Sequence, residues 1–177
     1  MEEQVILVNE SDDPIGTMGK TEAHQRPVLH RAFSVFIFNS KGEMLLQKRA
    51  LNKYHSAGLW TNTCCSHPRP GEDTVAAATR RLQEEMGFCT PLEKVFDFVY
   101  NASFENGLHE YEFDHVFTGT YNDEVQPDPD EVSEYRFMSM EAIQSSLSIN
   151  PEKYTAWFNI VFPKISMWRH QTIKKAI

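Results

Sequence analysis

Short apolar runs alternate with polar, turn-forming clusters along the first third of the chain, which is typical of β-strands. Strands are predicted at residues 5–8, 32–38, 44–47 and 60–65. Asp12, Asp13, Pro14 and Gly16 predict a turn after the first strand, and residues 39–42, Asn-Ser-Lys-Gly, predict a hairpin between the second and third. Residues 68–71 end the fourth strand.

The clearest helical pattern covers residues 72–86. Val75, Ala78, Leu82 and Met86 fall on one apolar stripe at helical spacing. Acidic residues at the start suit the helix dipole, and Gly87 stands where a C-terminal cap is expected. This segment is therefore predicted to pack one face against a sheet.

The second half of the chain continues this mixture of strands and helices. Strands are predicted at residues 94–100, 109–118 and 132–138, with a turn at Asn106-Gly107 and a loop at 127–130. Ser139 is expected to cap a helix that runs to about Leu147. Pro151 is expected to open a last helix, and Pro163 to kink or break it. Because no regular βαβ alternation occurs, a mixed sheet with helices packed on it, of the α+β or α/β class, is predicted.

Composition limits the function classes. The 177 residues fit a single domain, and 41% hydrophobic residues suffice for a core. The net charge of −8 argues against a nucleic-acid partner. No apolar run reaches the roughly 18 residues of a membrane span. An acidic start and three cysteines, two of them adjacent, predict a cytoplasmic protein.

Three carboxylates and three histidines are candidates for a metal site. Glu110, Glu112 and Asp114 alternate, so in a strand they share one face. Together with histidines, two of them could surround a divalent ion and leave a position for substrate or water. The histidines with this potential are His24, His30 and His67. The alternative for the carboxylates is a solvated strand face, and for each histidine a surface or satisfied core residue.

Two further groups have a chemical and a purely structural interpretation. Glu85 borders the apolar stripe of the helix, and Arg81 lies one turn before it. They form either a metal–phosphate site or an ordinary helical salt bridge. Cys65 is either a small buried hydrophobe or, with its pKa lowered by a metal and nearby cations, a reactive thiol.

These motifs resemble the Nudix family. Residues 66–88 follow its signature from Ser66 through Glu72, Arg80 and Glu84-Glu85 to Gly87-Phe88. Ser66 replaces the first glycine, and Arg81 replaces a glutamate, which weakens the acidic cluster expected of a Nudix hydrolase. Residues 61–68, TNTCCSHP, 29–34, LHRAFS, and 110–112, EYE, resemble one branch, the type 1 isopentenyl-diphosphate isomerases. The resemblance runs from about residue 5 to 157.

The resemblance implies a single Nudix-fold domain over residues 1–177, with a catalytic core at about 30–160 and terminal extensions. It implies one divalent ion, manganese, magnesium or zinc, on five side chains: His24, His30, His67, Glu110 and Glu112. It implies a second ion, magnesium, on Glu85 beside the substrate diphosphate. Four cations would grip that diphosphate: Lys20, Arg49, Lys53 and Arg81.

The implied reaction interconverts isopentenyl and dimethylallyl diphosphate through protonation and deprotonation. Cys65 and Glu112 would exchange protons with the substrate, Tyr100 would orient the carboxyl group, and Trp157 would lie against the hydrocarbon. The face of Trp157 would stabilise a carbocation, and water must be kept out. The implied partner is a small isoprenoid diphosphate, and the protein is expected to be a monomer or weak homodimer.

Two rival hypotheses remain. A Nudix-type hydrolase would release phosphate from a diphosphate substrate, and Arg81 argues against it. A metal-stabilised binding domain would unfold on chelation and turn over no diphosphate. That second alternative leaves the joint occurrence of Cys65, Arg81 and Glu85 without a reason.

Overall fold

A computed structural model describes residues 2–53, 55–104 and 106–175 of the chain. The predicted domain of residues 1–177 includes residues 1, 176 and 177, which lie outside the described residues. Within the described part the chain forms nine strands: β1 (Gln4–Val8), β2 (Pro14–Gly19), β3 (His30–Phe38), β4 (Met44–Arg49), β5 (Trp60–Thr61), β6 (Cys64–Ser66), β7 (Glu93–Ser103), β8 (His109–Thr120) and β9 (Val132–Met138). The same part contains four α-helices: α1 (Lys20–Gln25), α2 (Thr74–Met86), α3 (Met140–Ile149) and α4 (Ala156–Lys175).

Strand β3 organises the mixed sheet. Its whole length pairs in parallel with β8, from His30 opposite Glu112 to Phe38 opposite Thr120. Its other edge pairs in succession with β1, β6 and β4, all antiparallel. Strand β4 also carries β5 and β9, β7 covers the outer edge of β8, and β2 pairs with β1.

Both faces of β3 are buried, because helices cover the sheet on each side. Phe36 and Phe38 pack on one face in the cluster that contains residues of α3 and α4. Phe33, Val35 and Ile37 pack on the other face with residues of α2. The prediction of a mixed sheet flanked by helices is therefore confirmed.

The adjacent cysteines are divided between these two faces. Cys64 is fully buried under α2, and Cys65 packs against the opposite cluster. Strand alternation predicts this separation. It places the Cys65 thiol on the face of the sheet that carries Glu112 and Asp114, because Cys65 pairs with Ser34 in β3.

The predicted strand at 60–65 is wrong as a single element. It divides into β5 and β6 at Asn62 and Thr63. The side chains of these two residues make hydrogen bonds to backbone carbonyls in place of the bonds between paired strands. Asn62 donates to the Val35 and Cys64 carbonyls, and Thr63 donates to the Leu45 carbonyl. The chain thereby moves from pairing with β4 to pairing with β3.

Three other expectations need correction. Gly16 lies in β2, a strand that pairs with β1 and begins at Pro14, instead of in a turn. The second helix begins at Thr74, with Asp73 as its N-cap, and Val75 is 39% exposed, so that side chain does not belong to the buried stripe. Gly87, at φ 78°, caps the helix as predicted.

The last helix also differs from its prediction. Pro151 opens a short 3₁₀ turn, Pro151–Lys153, and the long helix α4 follows it. That helix continues through Pro163, so the expectation of a break is wrong. Pro163 is exposed, and the neighbouring Val161, Phe162 and Ile165 are buried, so packing holds the helix together across the proline. Within the described residues, no helix combines the length and apolar character needed to cross a membrane.

Candidate active site

Three imidazoles and one carboxylate meet where β3 begins. His24 comes from α1, His30 opens β3, His67 follows β6, and Glu112 lies in β8 opposite His30. One donor atom from each of these four buried side chains lies within 4.8 Å of all the others. The parallel register of β3 and β8 thus brings together residues more than 80 positions apart. Glu110, the fifth predicted ligand, lies outside this group of four.

The histidine tautomers prepare this cluster for a cation. The Nδ1 atoms of His24 and His30 lie 2.6 and 2.7 Å from the carbonyls of Lys20 and Val28, so each Nδ1 carries the proton and donates it. Each Nε2 therefore has a lone pair, and these atoms lie 3.8 and 3.5 Å from Glu112 Oε1. His30 Nε2 is buried without a hydrogen-bond partner among the described residues. Lone pairs aimed at an anionic oxygen fit a divalent metal ion.

The two oxygens of Glu112 face different partners. Oε1 lies 3.1 Å from His67 Nε2, on the histidine side, and Oε2 accepts a hydrogen bond of 2.6 Å from the Tyr100 hydroxyl. Burial tends to raise the pKa of Glu112, but the His24, His30 and His67 imidazoles around Oε1 outweigh it and hold that pKa well below its usual range. The Glu112 carboxylate is thus ionised. Its Oε1 faces the histidines, and its Oε2 remains accessible to a hydrogen-bond donor.

Glu110 responds oppositely to the same surroundings. Its Oε2 lies 3.1 Å from the Tyr100 hydroxyl, and its Oε1 lies 3.9 Å from His55 Nε2. Burial, followed by repulsion from Glu112, raises the pKa of Glu110 well above its usual range. Two neighbouring carboxylates with opposite pKa shifts are typical of a site that handles protons.

A cavity of about 320 Å³ adjoins these groups. It brings together most of the predicted site residues. Those that line it are Lys20, His24, Arg49, Lys53, Cys65, His67, Arg81, Glu85, Tyr100, Glu110, Glu112 and Trp157. His30 does not line the cavity and belongs to the group of three histidines and Glu112. The lining of the cavity therefore combines cationic side chains with the two carboxylates, the phenol and the thiol.

Burial controls the Cys65 thiol. It raises the pKa of Cys65 well above its usual range, and the nearby Arg49 guanidinium offsets only part of that effect, while Glu85, Glu110 and Glu112 raise the pKa further. The lowering of this pKa by a metal ion together with cations stays a prediction. With the described residues alone, the thiol is held in its neutral form and keeps a proton beside the cavity.

Trp157 forms an aromatic wall of the cavity. It is 4% exposed, with the Arg49 guanidinium 5.2 Å from its ring centroid. The His55 ring meets it edge-on at 5.9 Å and stacks on Phe104 at 5.3 Å. His55 is a site residue that sequence reasoning missed, because a histidine in the loop between β4 and β5 has no periodic signal.

The edge of α2 supplies the other end of the cavity. Glu85 is only 5% exposed, and it accepts hydrogen bonds from Arg81 at 2.6 Å and from Gln47 at 2.8 Å. Arg81 also pairs with Glu84 at 2.7 Å and with Glu131 at 3.3 Å. Gln47 and Glu131 were not predicted. Glu131 belongs to the acidic segment before β9, which the sequence identifies only as a loop.

A buried Ser34–Asp114 pair lies beside these groups. The Ser34 hydroxyl donates to Asp114 Oδ2 at 2.8 Å, and burial raises the pKa of Asp114 well above its usual range. The alternative of a solvated face for Glu110, Glu112 and Asp114 is wrong, because all three are less than 8% exposed.

Comparison with known proteins identifies relatives. The NUDIX domain family matches residues 28–158. The chain is 51% identical to isopentenyl-diphosphate Delta-isomerase 2 of Photorhabdus laumondii, over 94% of both chains. It is also 51% identical to the isopentenyl-diphosphate Delta-isomerase of Serratia proteamaculans, over 89% of this chain and 88% of that one.

Solved structures share the fold. The DR0079 protein of Deinococcus radiodurans superposes with a TM-score of 0.77 at 18% identity, covering 92% of this chain and 98% of that one. A MutT protein of Methanosarcina mazei superposes with a TM-score of 0.65 at 23% identity, covering 81% of this chain and 95% of that one. These likenesses support the architecture alone.

Proposed function

Because the chain belongs to the NUDIX family and, within it, to the isopentenyl-diphosphate Delta-isomerases, we propose that it interconverts isopentenyl and dimethylallyl diphosphate. The observation that carries this proposal is the lining of one cavity. The cavity is bordered by four cationic side chains and by Cys65, Glu112, Tyr100 and Trp157. The cavity thus combines a proton donor, a proton acceptor and an aromatic face with a site for the diphosphate group.

The isomerisation requires one proton to be added to the alkene and another to be removed from a neighbouring carbon. We assign these transfers to Glu112 and Cys65. Tyr100 holds Glu112 Oε2, the oxygen directed away from the histidines. A neutral Cys65 thiol has a proton to give, and its thiolate would balance the positive charge of a carbocation. The Trp157 face would stabilise that cation by about 2 kcal/mol when desolvated.

Two divalent ions complete the proposed site. His24, His30, His67 and Glu112 would hold the first, with Glu110 close by, and this imidazole-rich donor set suits manganese or zinc better than magnesium. Bound there, the ion would fix the carboxylate of Glu112 and supply positive charge. Glu85 would hold a magnesium beside the diphosphate, which Lys20, Arg49, Lys53 and Arg81 would bind.

Further parts of the proposal concern the whole chain. We propose one domain over residues 1–177, with its catalytic core at about 30–160. The three cysteines are free, which supports a reducing, cytoplasmic location.

The hydrolase alternative is less well supported by the α2 edge. Arg81 stands where Nudix hydrolases are expected to have a carboxylate, and it pairs with both Glu84 and Glu85. Arg81 adds positive charge at this edge, and its pair with Glu84 occupies a carboxylate that would otherwise help to gather several metal ions.

The deciding experiment is incubation with isopentenyl diphosphate and a divalent ion in deuterated water, followed by proton NMR. We expect dimethylallyl diphosphate, with deuterium at the carbon that is protonated. Phosphorus NMR of the same sample separates the alternatives, since a hydrolase would release phosphate. A chelator should stop the reaction. Absence of isomerisation in the sample that contains the divalent ion would refute the proposal.

A further inference from the structure

Among the described residues, three of the four cations assigned to the diphosphate already have carboxylate partners: Lys20, Lys53 and Arg81. Lys53 and Arg81 share one of them, because Lys53 Nζ pairs with Glu131 Oε2 and Arg81 pairs at 3.3 Å with Glu131 Oε1. Glu131 itself lines the cavity. A single carboxylate therefore bridges two cations at the place proposed for an anionic substrate group.

Backbone hydrogen bonds fix the position of Glu131. Its carbonyl accepts from the Ala50 amide at 3.0 Å, which ties it to the loop that carries Lys53. Its amide donates to the Asp128 carbonyl, and the Asp128 amide donates to the Glu85 carbonyl at the end of α2, both at 3.0 Å. The segment is thus anchored to both cation-bearing elements, and the side chain, 23% exposed, is the part able to rotate.

The other two cations are held differently. Lys20 pairs with Glu3 at 3.0 Å, but these side chains are 25% and 40% exposed, so solvent weakens that pair. Arg49 donates to the His55 carbonyl at 3.3 Å, and its Nε is buried without a hydrogen-bond partner among the described residues. Arg49 is thus ready to receive an anion, whereas Lys53 and Arg81 must first be released from Glu131. Arg81 also pairs with Glu84 and Glu85, so leaving Glu131 frees one of its carboxylate contacts.

We infer that Glu131 is an internal counter-ion that the substrate diphosphate displaces from Lys53 and Arg81. This inference rests on the proposed function. Without substrate, the carboxylate keeps two like charges together. A diphosphate carries more negative charge than one carboxylate, so it takes over both cations, and Glu131 turns towards solvent. When product leaves, Glu131 recaptures them, which favours release and disfavours singly charged anions.

Calorimetric titration of the metal-loaded full chain with inorganic diphosphate, in excess Mg²⁺, tests this exchange. Glu131→Gln keeps the shape and removes the competing charge, so diphosphate should bind about tenfold more tightly, or about 1.4 kcal/mol. Glu134→Gln is the matched control: this exposed carboxylate of β9 pairs with Lys48 and Arg136, outside the cavity lining, and diphosphate affinity should stay at the wild-type value. Unchanged or weaker binding by Glu131→Gln would overturn the inference, since it would make Glu131 a bystander or a support of the ligand.

Two further measurements keep the test decisive. Glu131→Asp retains the charge at a shorter reach, so its affinity should lie between wild type and Glu131→Gln, and wild-type or weaker affinity would again overturn the inference. KM for isopentenyl diphosphate should fall in parallel with the diphosphate Kd. Binding of inorganic diphosphate needs no turnover, so failure of the exchange is distinguishable from absence of isomerisation in the wild-type protein.

Discussion

Glu112 presents its two oxygens to different chemistry. Oε1 faces three imidazole nitrogens, and Oε2 faces a phenol hydroxyl and the cavity. Asp114 lies two residues further along the same strand and has a shorter side chain. It accepts a hydrogen bond from Ser34 instead of contacting the histidines. The length of the glutamate side chain thus lets one residue contact both the histidine group and the Tyr100 hydroxyl.

Removing either proton-handling group should abolish isomerisation. Cys65→Ala and Glu112→Gln, made separately, are each expected to lower kcat by on the order of 10³-fold, the scale of general acid–base catalysis. Cys89→Ala is the control, because Cys89 is an exposed thiol outside the cavity lining. Turnover is followed by the proton NMR assay, and circular dichroism checks the fold. Near-normal kcat in a folded variant would contradict the assigned role.

Charge pairs within one helix could be predicted from the sequence, but charge pairs between distant segments could not. Arg81 and Glu85 are four positions apart, so helical geometry indicates their contact. Lys53 and Glu131 are 78 positions apart, and their contact depends on the backbone bond between residues 50 and 131. The pKa of Cys65 likewise depends on burial, which spacing alone does not measure.

Elements with strong periodicity or caps were predictable. Strand β9, over residues 132–138, has the predicted bounds, and Ser139 accepts from the Ala142 amide as the N-cap of α3. Strand β2 and helix α1 were missed because residues 14–25 lack an apolar repeat, and a six-residue helix has little propensity signal. That short helix matters, because it positions His24.

Helix α4 contains a locally unfavourable residue. An amide at position 163 would donate to the carbonyl of residue 159, and Pro163 has no N–H. Pro163→Ala should therefore raise the free energy of unfolding by about 1–2 kcal/mol, less than the full cost of an interior proline because the unfolded chain gains freedom. Urea denaturation measures this change.

Pro151→Ala is the matched control for that substitution. Pro151 lies at the start of the 3₁₀ turn, where proline is tolerated, so no gain in stability is expected. Equal stabilisation by both substitutions would contradict the explanation through the missing hydrogen bond.

At the scale of the molecule, the sheet determines where the chemistry lies. The mixed-sheet class follows from the order of strands and helices, but the junction of β1, β6 and β4 along one edge of β3 does not. The site combines segments on both edges of β3, because residue 65 lies in β6 on one edge and residue 112 lies in β8 on the other. The resemblance to a known branch predicted which side chains to consider, and the register of β3 with β8 explains why His30 and Glu112 meet.

Folding lowers the pKa of His55 and His67, which should add acid sensitivity to the stability of the molecule. Burial lowers the pKa of His55 to about 3 and of His67 to about 4, from an ordinary value of 6.5. Around His55, Arg49, His24 and Lys20 lower the pKa further, and Glu112 raises it. The unfolded chain therefore binds more protons between these values and 6.5. The contribution of these two histidines to stability is complete above pH 6.5 and is lost as the pH drops towards 4.

His55→Phe isolates one of these protons, because phenylalanine preserves the stacking on Phe104. Each histidine contributes a slope of up to about 1.4 kcal/mol per pH unit to the free energy of unfolding. Urea denaturation at several pH values between 6 and 5, at constant metal concentration, should show a slope smaller by about 1 kcal/mol per unit in this variant. His170→Gln, at an exposed position of α4, should keep the wild-type slope. An unaltered slope in His55→Phe would mean that the folded protein already binds a proton at His55, and that burial does not hold this imidazole neutral.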